Sequence, residues 1–260
     1  MTTRDHPPVG APCWVDLWTS DVDGSRTFYA ELFGWEAQEP SEEFGGYFMW
    51  TRNGDPVAGG MGDMGDMKAD DAWKIYLATD DITKTVEAAE SSGAQVMGPA
   101  MPVADLGIQA VMLDPTGAAI GTWQPGTFPG FTTLYEQGAP SWFELHTRDF
   151  GLAVSFYESV WGLTIDSVGD TDEFRYSTVR NPDGEGEIAG MMDSSSFLPA
   201  SDSPHWKIYW HVDDIDATVA EVIRLGGSVE QPVENTPYGR LASVRDPRGA
   251  RFALRTPPAA

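Results

Sequence analysis

An ordered internal repeat restricts what this chain can fold into more than any other feature. Ala11-Pro12-Cys13-Trp14-Val15-Asp16-Leu17 returns as Ala139-Pro140-Ser141-Trp142-Phe143-Glu144-Leu145, Phe28-Tyr29 as Phe156-Tyr157, and Leu32-Phe33-Gly34 as Val160-Trp161-Gly162, each 128 positions later. Trp73-Lys74-Ile75-Tyr76 returns as Trp206-Lys207-Ile208-Tyr209, and Asp114-Pro115-Thr116-Gly117-Ala118 as Asp246-Pro247-Arg248-Gly249-Ala250, with offsets of 133 and 132. A few residues have therefore been inserted in loops. The repeat divides the chain into an N-terminal tail (1–10), a first module (11–124), a Gly/Pro-rich linker (125–138), a second module (139–256) and a C-terminal tail (257–260).

Each half reads as two units of strand, helix and further strands. In the first, Trp14 to Thr19 alternates like a strand, and Asp21 or Asp23 can cap a helix whose Phe28, Tyr29 and Leu32 form an apolar face ended by Gly34. Tyr47 to Thr51 and Val57 to Met61 read as strands around an Asn53-Gly54 turn. The second unit starts at Lys74, has a helix near Ile82, Val86 and Ala89 closed by Gly93, and ends in strands around the Asp114-Pro115-Thr116-Gly117 turn.

Composition narrows the functional classes. The 16 Lys+Arg against 40 Asp+Glu give a formal charge of −24, which repels phosphate backbones and argues against nucleic-acid partners. That charge serves solubility, or attracts a cationic small molecule. No apolar run reaches the ~20 residues of a membrane span, and MTTRDHPPVG has no signal-like apolar segment, so the expectation is a cytoplasmic chain with no membrane partner. The single Cys13 cannot form an internal disulfide.

The strand, Asp, Phe-Tyr helix, closing Gly and terminal Asp-Pro-x-Gly hairpin, present twice, resemble the vicinal oxygen chelate superfamily of glyoxalases, bleomycin-resistance proteins and dioxygenases. The pattern is most similar to its two-module, glyoxalase-like actinobacterial members, often labelled hydroxylases. The resemblance implies an α+β fold: four βαβββ units forming two curved, mostly antiparallel sheets with helices outside. It also implies where a divalent metal would be held on each concave face. Those positions fall on Trp14, Gly59, Lys74 and Gly121 in one copy, and on Trp142, Gly190, Lys207 and Ala253 in the other. Trp has no free lone pair, Lys is cationic, and Gly and Ala carry no donor atom. No metal and no other cofactor is expected.

Alternation gives a check that does not depend on the resemblance. With Trp14 inward, Asp16 and Trp18 follow, and with Lys74 inward, so does Tyr76; the aliphatics then cover the helix side. The second copy places Trp142, Glu144, His146, Lys207, Tyr209 and His211 inward. The expected cavity has an aromatic wall (Trp14, Trp18, Tyr76, Trp123; Trp142, Tyr209) and a floor left roomy by Gly59, Gly121, Gly190 and Ala253. It suits a flat, partly apolar ligand, aromatic or cationic. The competing structural reading is that the Trp side chains fill the lost ligand site and that Asp16–Lys74 and Glu144–Lys207 form buried ion pairs.

Asp16, Lys74, Glu144, His146 and Lys207 are the candidate proton-transfer residues. A relocated iron site from Glu144, His146 and His211 is disfavoured, because each His sits four residues, roughly 13 Å, along its strand from the expected position, in opposite directions. His205 and His6 read as surface residues. Gly60-Met61-Gly62-Asp63-Met64-Gly65 matches a dinucleotide fingerprint literally, but no helix follows and its acids would repel a pyrophosphate. Met61, Met64 and Met67 read as a connector, or as an adaptable lid. Three functions remain: a small-molecule binding protein, a metal-independent lyase, isomerase or hydroxylase, or a scaffold with filled cavities. A monomer, with the modules closing on each other, or a homodimer is expected.

Overall fold

The computed structural model describes residues 2–3, 6–171, 173–184 and 186–258. After a two-residue strand β1 (Thr2–Thr3), the first module runs β2 (Pro12–Trp18), α1 (Val22–Phe33), β3 (Glu36–Ala37), β4 (Phe48–Arg52), β5 (Asp55–Met61), β6 (Ala72–Ala78), α2 (Ile82–Ser91), β7 (Gln95–Val96), β8 (Met101–Val103), β9 (Gly107–Leu113) and β10 (Ala119–Pro125). After β11 (Thr133–Leu134), the second runs β12 (Pro140–Thr147), α3 (Phe150–Trp161), β13 (Ile165–Asp170), β14 (Arg175–Arg180), β15 (Glu187–Asp193), β16 (His205–His211), α4 (Ile215–Arg224), β17 (Ser228–Thr236), β18 (Gly239–Arg245) and β19 (Arg251–Thr256). No helix among the described residues is long and apolar enough to cross a membrane.

The first sheet has the order β3-β4-β5-β2-β6-β10-β9-β7, with β8 also on β9; the second has β13-β14-β15-β12-β16-β19-β18-β17. Each is the α+β arrangement expected: two units meet at an antiparallel seam, β2 with β6 and β12 with β16. Local chemistry fixes the elements. Asp21, not Asp23, caps α1 by accepting from the Gly24 amide at 3.0 Å, and Asp81, Asp149 and Asp214 do the same for the other helices. Gly34 and Gly162 end α1 and α3 at φ 70° and 67°, where a side chain would be strained. Asn53 and Gly54, at φ 53° and 88°, make the tight β4–β5 turn.

The aliphatic faces pack as alternation requires: Val15, Leu17, Ile75 and Leu77 in one module and Leu145, Ile208 and Val212 in the other are all buried against the helix layer. That layer is shared. Trp35 and Trp73 meet Trp210 with ring centroids 4.9 and 5.5 Å apart, and Phe33 meets Phe252 at 6.1 Å, so one core spans both modules. Two buried polar chains pin this interface reciprocally. Trp73 Nε1 donates to Tyr29 Oη (3.1 Å), which donates to Asp246 Oδ2 (3.1 Å). Trp206 Nε1 donates to Tyr157 Oη (2.8 Å), which donates to Asp114 Oδ2 (2.9 Å). Six of the repeated sequence positions thus serve one purpose, holding each module's helix to the other's terminal hairpin.

Candidate functional site

The strand register brings the expected site residues together. In the first module Gly59, Asp16 and Lys74 lie in one row across β5, β2 and β6, and Trp14, Tyr76 and Gly121 in the adjacent row across β2, β6 and β10. The second module repeats both rows, as Gly190, Glu144 and Lys207, and as Trp142, Tyr209 and Ala253.

The floor differs from the one expected. A Cβ built on Gly59 would lie 1.9 Å from Tyr47 Oη and 2.2 Å from Asp16 Oδ1, and one on Gly190 would lie 1.9 Å from Tyr176 Oη. At Gly121 the Tyr76 ring occupies the same space, 2.2 Å away. The small residues make room for tyrosines of neighbouring strands, not for a ligand. A depression beside Trp142, lined also by Tyr135, Leu134 and Ile188, holds about 20 Å³, enough for about one water. Tyr47 and Tyr176 carried no sequence signal beyond their own repetition 129 positions apart.

In the first module Asp16 Oδ1 accepts from Tyr47 Oη at 2.8 Å and from Trp14 Nε1 at 2.9 Å. Burial pushes the Asp16 carboxyl up to about 6, and hydrogen bonds from Tyr47, Tyr76 and Trp14 offset only part of the cost of its charge. The Asp16–Lys74 ion pair of the competing structural reading does not form. Lys74 pairs with the more exposed Asp70, four residues before it, and its Nζ lies 5.5 Å from the centroid of Trp18. Solvent is closer for Lys74 at Asp70, so the pair avoids desolvating two charges. Trp18 Nε1 is buried without a hydrogen-bond partner among the described residues, and Met61, Met64 and Met67 line the same depression as its ring. Trp123 closes the wall through Nε1 to the Phe128 carbonyl (2.9 Å). Phe128 and Phe131, from the segment expected to be a plain linker, flank Trp14 with centroids 4.8 and 5.3 Å away.

In the second module Glu144 accepts from Tyr176 and Tyr209 and contacts His146 Nε2, each at 2.8 Å, while Trp142 Nε1 donates to Tyr176 Oη at 3.2 Å. Burial opposes the Glu144 charge, but His146, Tyr209 and Lys207 outweigh it and hold the carboxyl below the usual range. Burial also lowers His146, with Lys207 adding to the effect. With Glu144 ionised, the ring donates through Nε2 and its Nδ1 accepts from the buried Ser194 Oγ at 3.0 Å. Both ring nitrogens are therefore hydrogen-bonded within the cluster, where His146 supports Glu144. Here too the ion pair is absent: Lys207 Nζ donates to Ser243 Oγ at 3.3 Å, and burial lowers its pKa.

His205, expected at the surface, is half-buried, with its ring 5.3 Å from that of His146 and within 3° of parallel. His211 sits at the far end of β16, 3.5 Å from Asp213, and joins neither Glu144 nor His146.

The residues at the expected metal positions do not fit a divalent cation. Trp, Gly, Lys and Ala supply no donor set, tyrosines fill the space at Gly59, Gly121 and Gly190, and among the described residues no three His, Cys, Asp or Glu side chains converge.

Comparison with known proteins matches residues 140–254 to the Glyoxalase/Bleomycin resistance protein/Dioxygenase superfamily, and residues 13–121 to a glyoxalase-like domain. The chain is 37% identical over 262 residues to "Putative glyoxylase CFP32" of Mycobacterium tuberculosis, covering 99% of this chain and 98% of that one. It is 35% identical over 271 residues to "Anthracycline biosynthesis protein DnrV" of Streptomyces peucetius, covering 97% and 94%. The fold matches a Mn(II)-bound glyoxalase from Novosphingobium aromaticivorans with a TM-score of 0.65 at 17% identity, over 96% of this chain and 82% of that one. It also matches the 2,3-dioxygenase LapB from Pseudomonas sp. KL28, with 0.61 at 14%, over 97% and 94%.

Proposed function

Because the chain belongs to the glyoxalase/bleomycin resistance protein/dioxygenase superfamily, we propose that it binds a flat, largely apolar small molecule on its concave faces, beside the tyrosines that fill their floors, without a metal such as that of its Mn(II)-bound structural relative. One observation carries the reading. In both modules the chelating positions are rebuilt as the same cluster, a buried carboxylate capped by tyrosines and a tryptophan beside a lysine. Aromatic faces supply most of the contact, and a few fixed polar groups orient the ligand. A relative named for anthracycline biosynthesis agrees with a planar aromatic ligand.

Titration of the intact protein with planar aromatics, followed by tryptophan fluorescence and calorimetry, tests this. Saturable binding that survives exhaustive chelation is expected. Stoichiometric Fe, Mn, Ni or Zn in the purified protein, with binding lost on its removal, would overturn the metal-free reading. Binding unchanged in both Trp14→Ala and Trp142→Ala would overturn the aromatic cavities.

A second reading, proton transfer by a glyoxalase-like lyase or isomerase, is favoured by Asp16, whose carboxyl near 6 can both hold and release a proton at neutral pH. Turnover of a probe whose pH profile breaks near 6, and loses that break in Asp16→Asn, is the outcome this reading expects.

A further inference from the structure

The duplicated lysine is completed in one module and not in the other. Lys74 has Asp70 four residues before it; the same place before Lys207 is Ser203. Asp202, next to it, is taken by Arg251. Lys207 is left with one hydrogen bond, to Ser243 Oγ, and with Glu144 and Glu230 as counter-charges beyond ion-pair distance, although only 7% of it is exposed. Two of its three N–H donors have no partner among the described residues, and a buried ammonium in that state is costly.

The surroundings differ in the same sense. Gly45 of the first module corresponds to Phe174 of the second, at the 129-residue offset that relates Tyr47 to Tyr176. Phe174 is 44% exposed and stacks on Tyr176, with centroids 5.9 Å apart. Met64 corresponds to Phe197, at the 133-residue offset. Phe197 is 50% exposed and meets His146 edge-on at 6.1 Å. Tyr176 and His146 both hydrogen-bond Glu144, so the two exposed rings sit one contact away from the cluster that contains Lys207. The first module has its aromatic wall covered by Phe128, Phe131 and the methionines instead. Charge also divides unevenly. Residues 1–138 carry 21 acidic and 6 basic residues, a formal −15, and residues 139–260 carry 19 and 10, a formal −9.

We propose that the second module is the ligand-binding one, and that its ligand is a planar aromatic acid whose rings lie on Phe174 and Phe197 and whose anionic group supplies Lys207 with the partner that Asp70 gives Lys74. This rests on the small-molecule reading above and names its module and ligand class. The anion replaces no protein carboxylate, so binding removes an unsatisfied buried donor rather than breaking an existing pair.

The test uses the full chain and two fluorescent probes of one shape, anthracene-9-carboxylate and its neutral counterpart anthracene-9-methanol. Wild type is expected to bind the acid at least fivefold more tightly than the alcohol. Ser203→Asp, an exposed substitution that rebuilds the first module's pairing, and Lys207→Met are each expected to weaken the acid about tenfold and the alcohol less than twofold. Phe174→Ala is expected to weaken both probes about three- to tenfold, the scale of one aromatic contact. Lys84→Met, on the exposed face of α2, controls for net charge and is expected to change neither. Equal affinity for the two probes, or an acid affinity unmoved by Ser203→Asp, overturns the proposal. Binding that survives Ser203→Asp and Phe174→Ala but is lost in Trp14→Ala moves the site to the first module and leaves the proposed function standing. No binding of either probe by wild type overturns both. If Lys207→Met does not fold, the exposed Ser203 and Phe174 substitutions decide alone.

Discussion

Asp16 rests among Trp14, Tyr47 and Tyr76 with its lysine turned away to Asp70, whereas Glu144 rests among Tyr176, Tyr209 and His146 with an unpaired lysine beside it. The scaffold and register are the same, yet burial dominates at Asp16 and raises its carboxyl, while neighbouring donors and a cation dominate at Glu144 and lower it. The direction of a buried carboxylate's shift is set here by the balance between burial and the groups that touch it, with His146 foremost among those that favour the Glu144 charge. Of the two concave faces, one is suited to holding a proton and the other to holding a charge.

The largest expected contrast lies in packing. Trp14 is buried against Phe128 and Phe131, so Trp14→Ala should cost about 3–5 kcal/mol in urea unfolding. Trp142 is less buried, and Trp142→Ala should cost roughly half as much. Equal losses would break the description of a closed first face and a more open second one.

Next comes pH. Asp16 titrates near 3.8 unfolded and about 6 folded, so the folded chain holds the extra proton between those values and stability falls as pH rises from about 4 through 6. Asp16→Asn should remove that fall, about 3 kcal/mol in full, and the difference between wild-type and variant unfolding curves across pH measures it. Glu144 is shifted downward, so its contribution is present above its unfolded value near 4.5 and lost as pH falls through its folded one. Glu144→Gln should therefore change the slope on the acid side with the opposite sign. Slopes of one sign in both variants would erase the electrostatic contrast.

Smaller effects mark where the modules are alike. Tyr29→Phe and Tyr157→Phe each remove a hydrogen bond to a buried carboxylate at the interface and strand the indole N–H of Trp73 or Trp206, and each should cost about 1.5–3 kcal/mol, with the two values matching. Lys74→Met should change stability by no more than about 1 kcal/mol, because its partner Asp70 is 55% exposed and solvent screens the pair.

The fold was legible because β-periodicity and repetition test each other. Trp14, Lys74, Glu144 and Lys207 could be placed on one face from alternation, and a slip of one residue would have turned Val15 and Ile75 outward. The partners were not legible. Tyr47, just before β4, and Tyr176, on β14, reach across to carboxylates on another strand, a long-range approach that no local pattern shows, and Phe128 and Phe131 sit in a Gly/Pro-rich stretch with no periodicity to aim them. The Asp16–Lys74 pairing was the natural inference from adjacent strand positions, yet it gave way to Asp70, whose approach depends on a loop conformation. Glycine at positions 59 and 121 looked like free volume, yet in the folded chain a neighbour's ring occupies it.

The reciprocal Tyr29–Asp246 and Tyr157–Asp114 bonds have a consequence for how such a chain could arise. Each half contributes a donor on its first helix and an acceptor in its last hairpin, so two identical copies of either half could satisfy one another about a twofold axis. The fusion makes that association intramolecular and frees it from dilution. Once joined, the halves no longer needed identical concave faces, and Asp70 and Ser203 record one place where they parted.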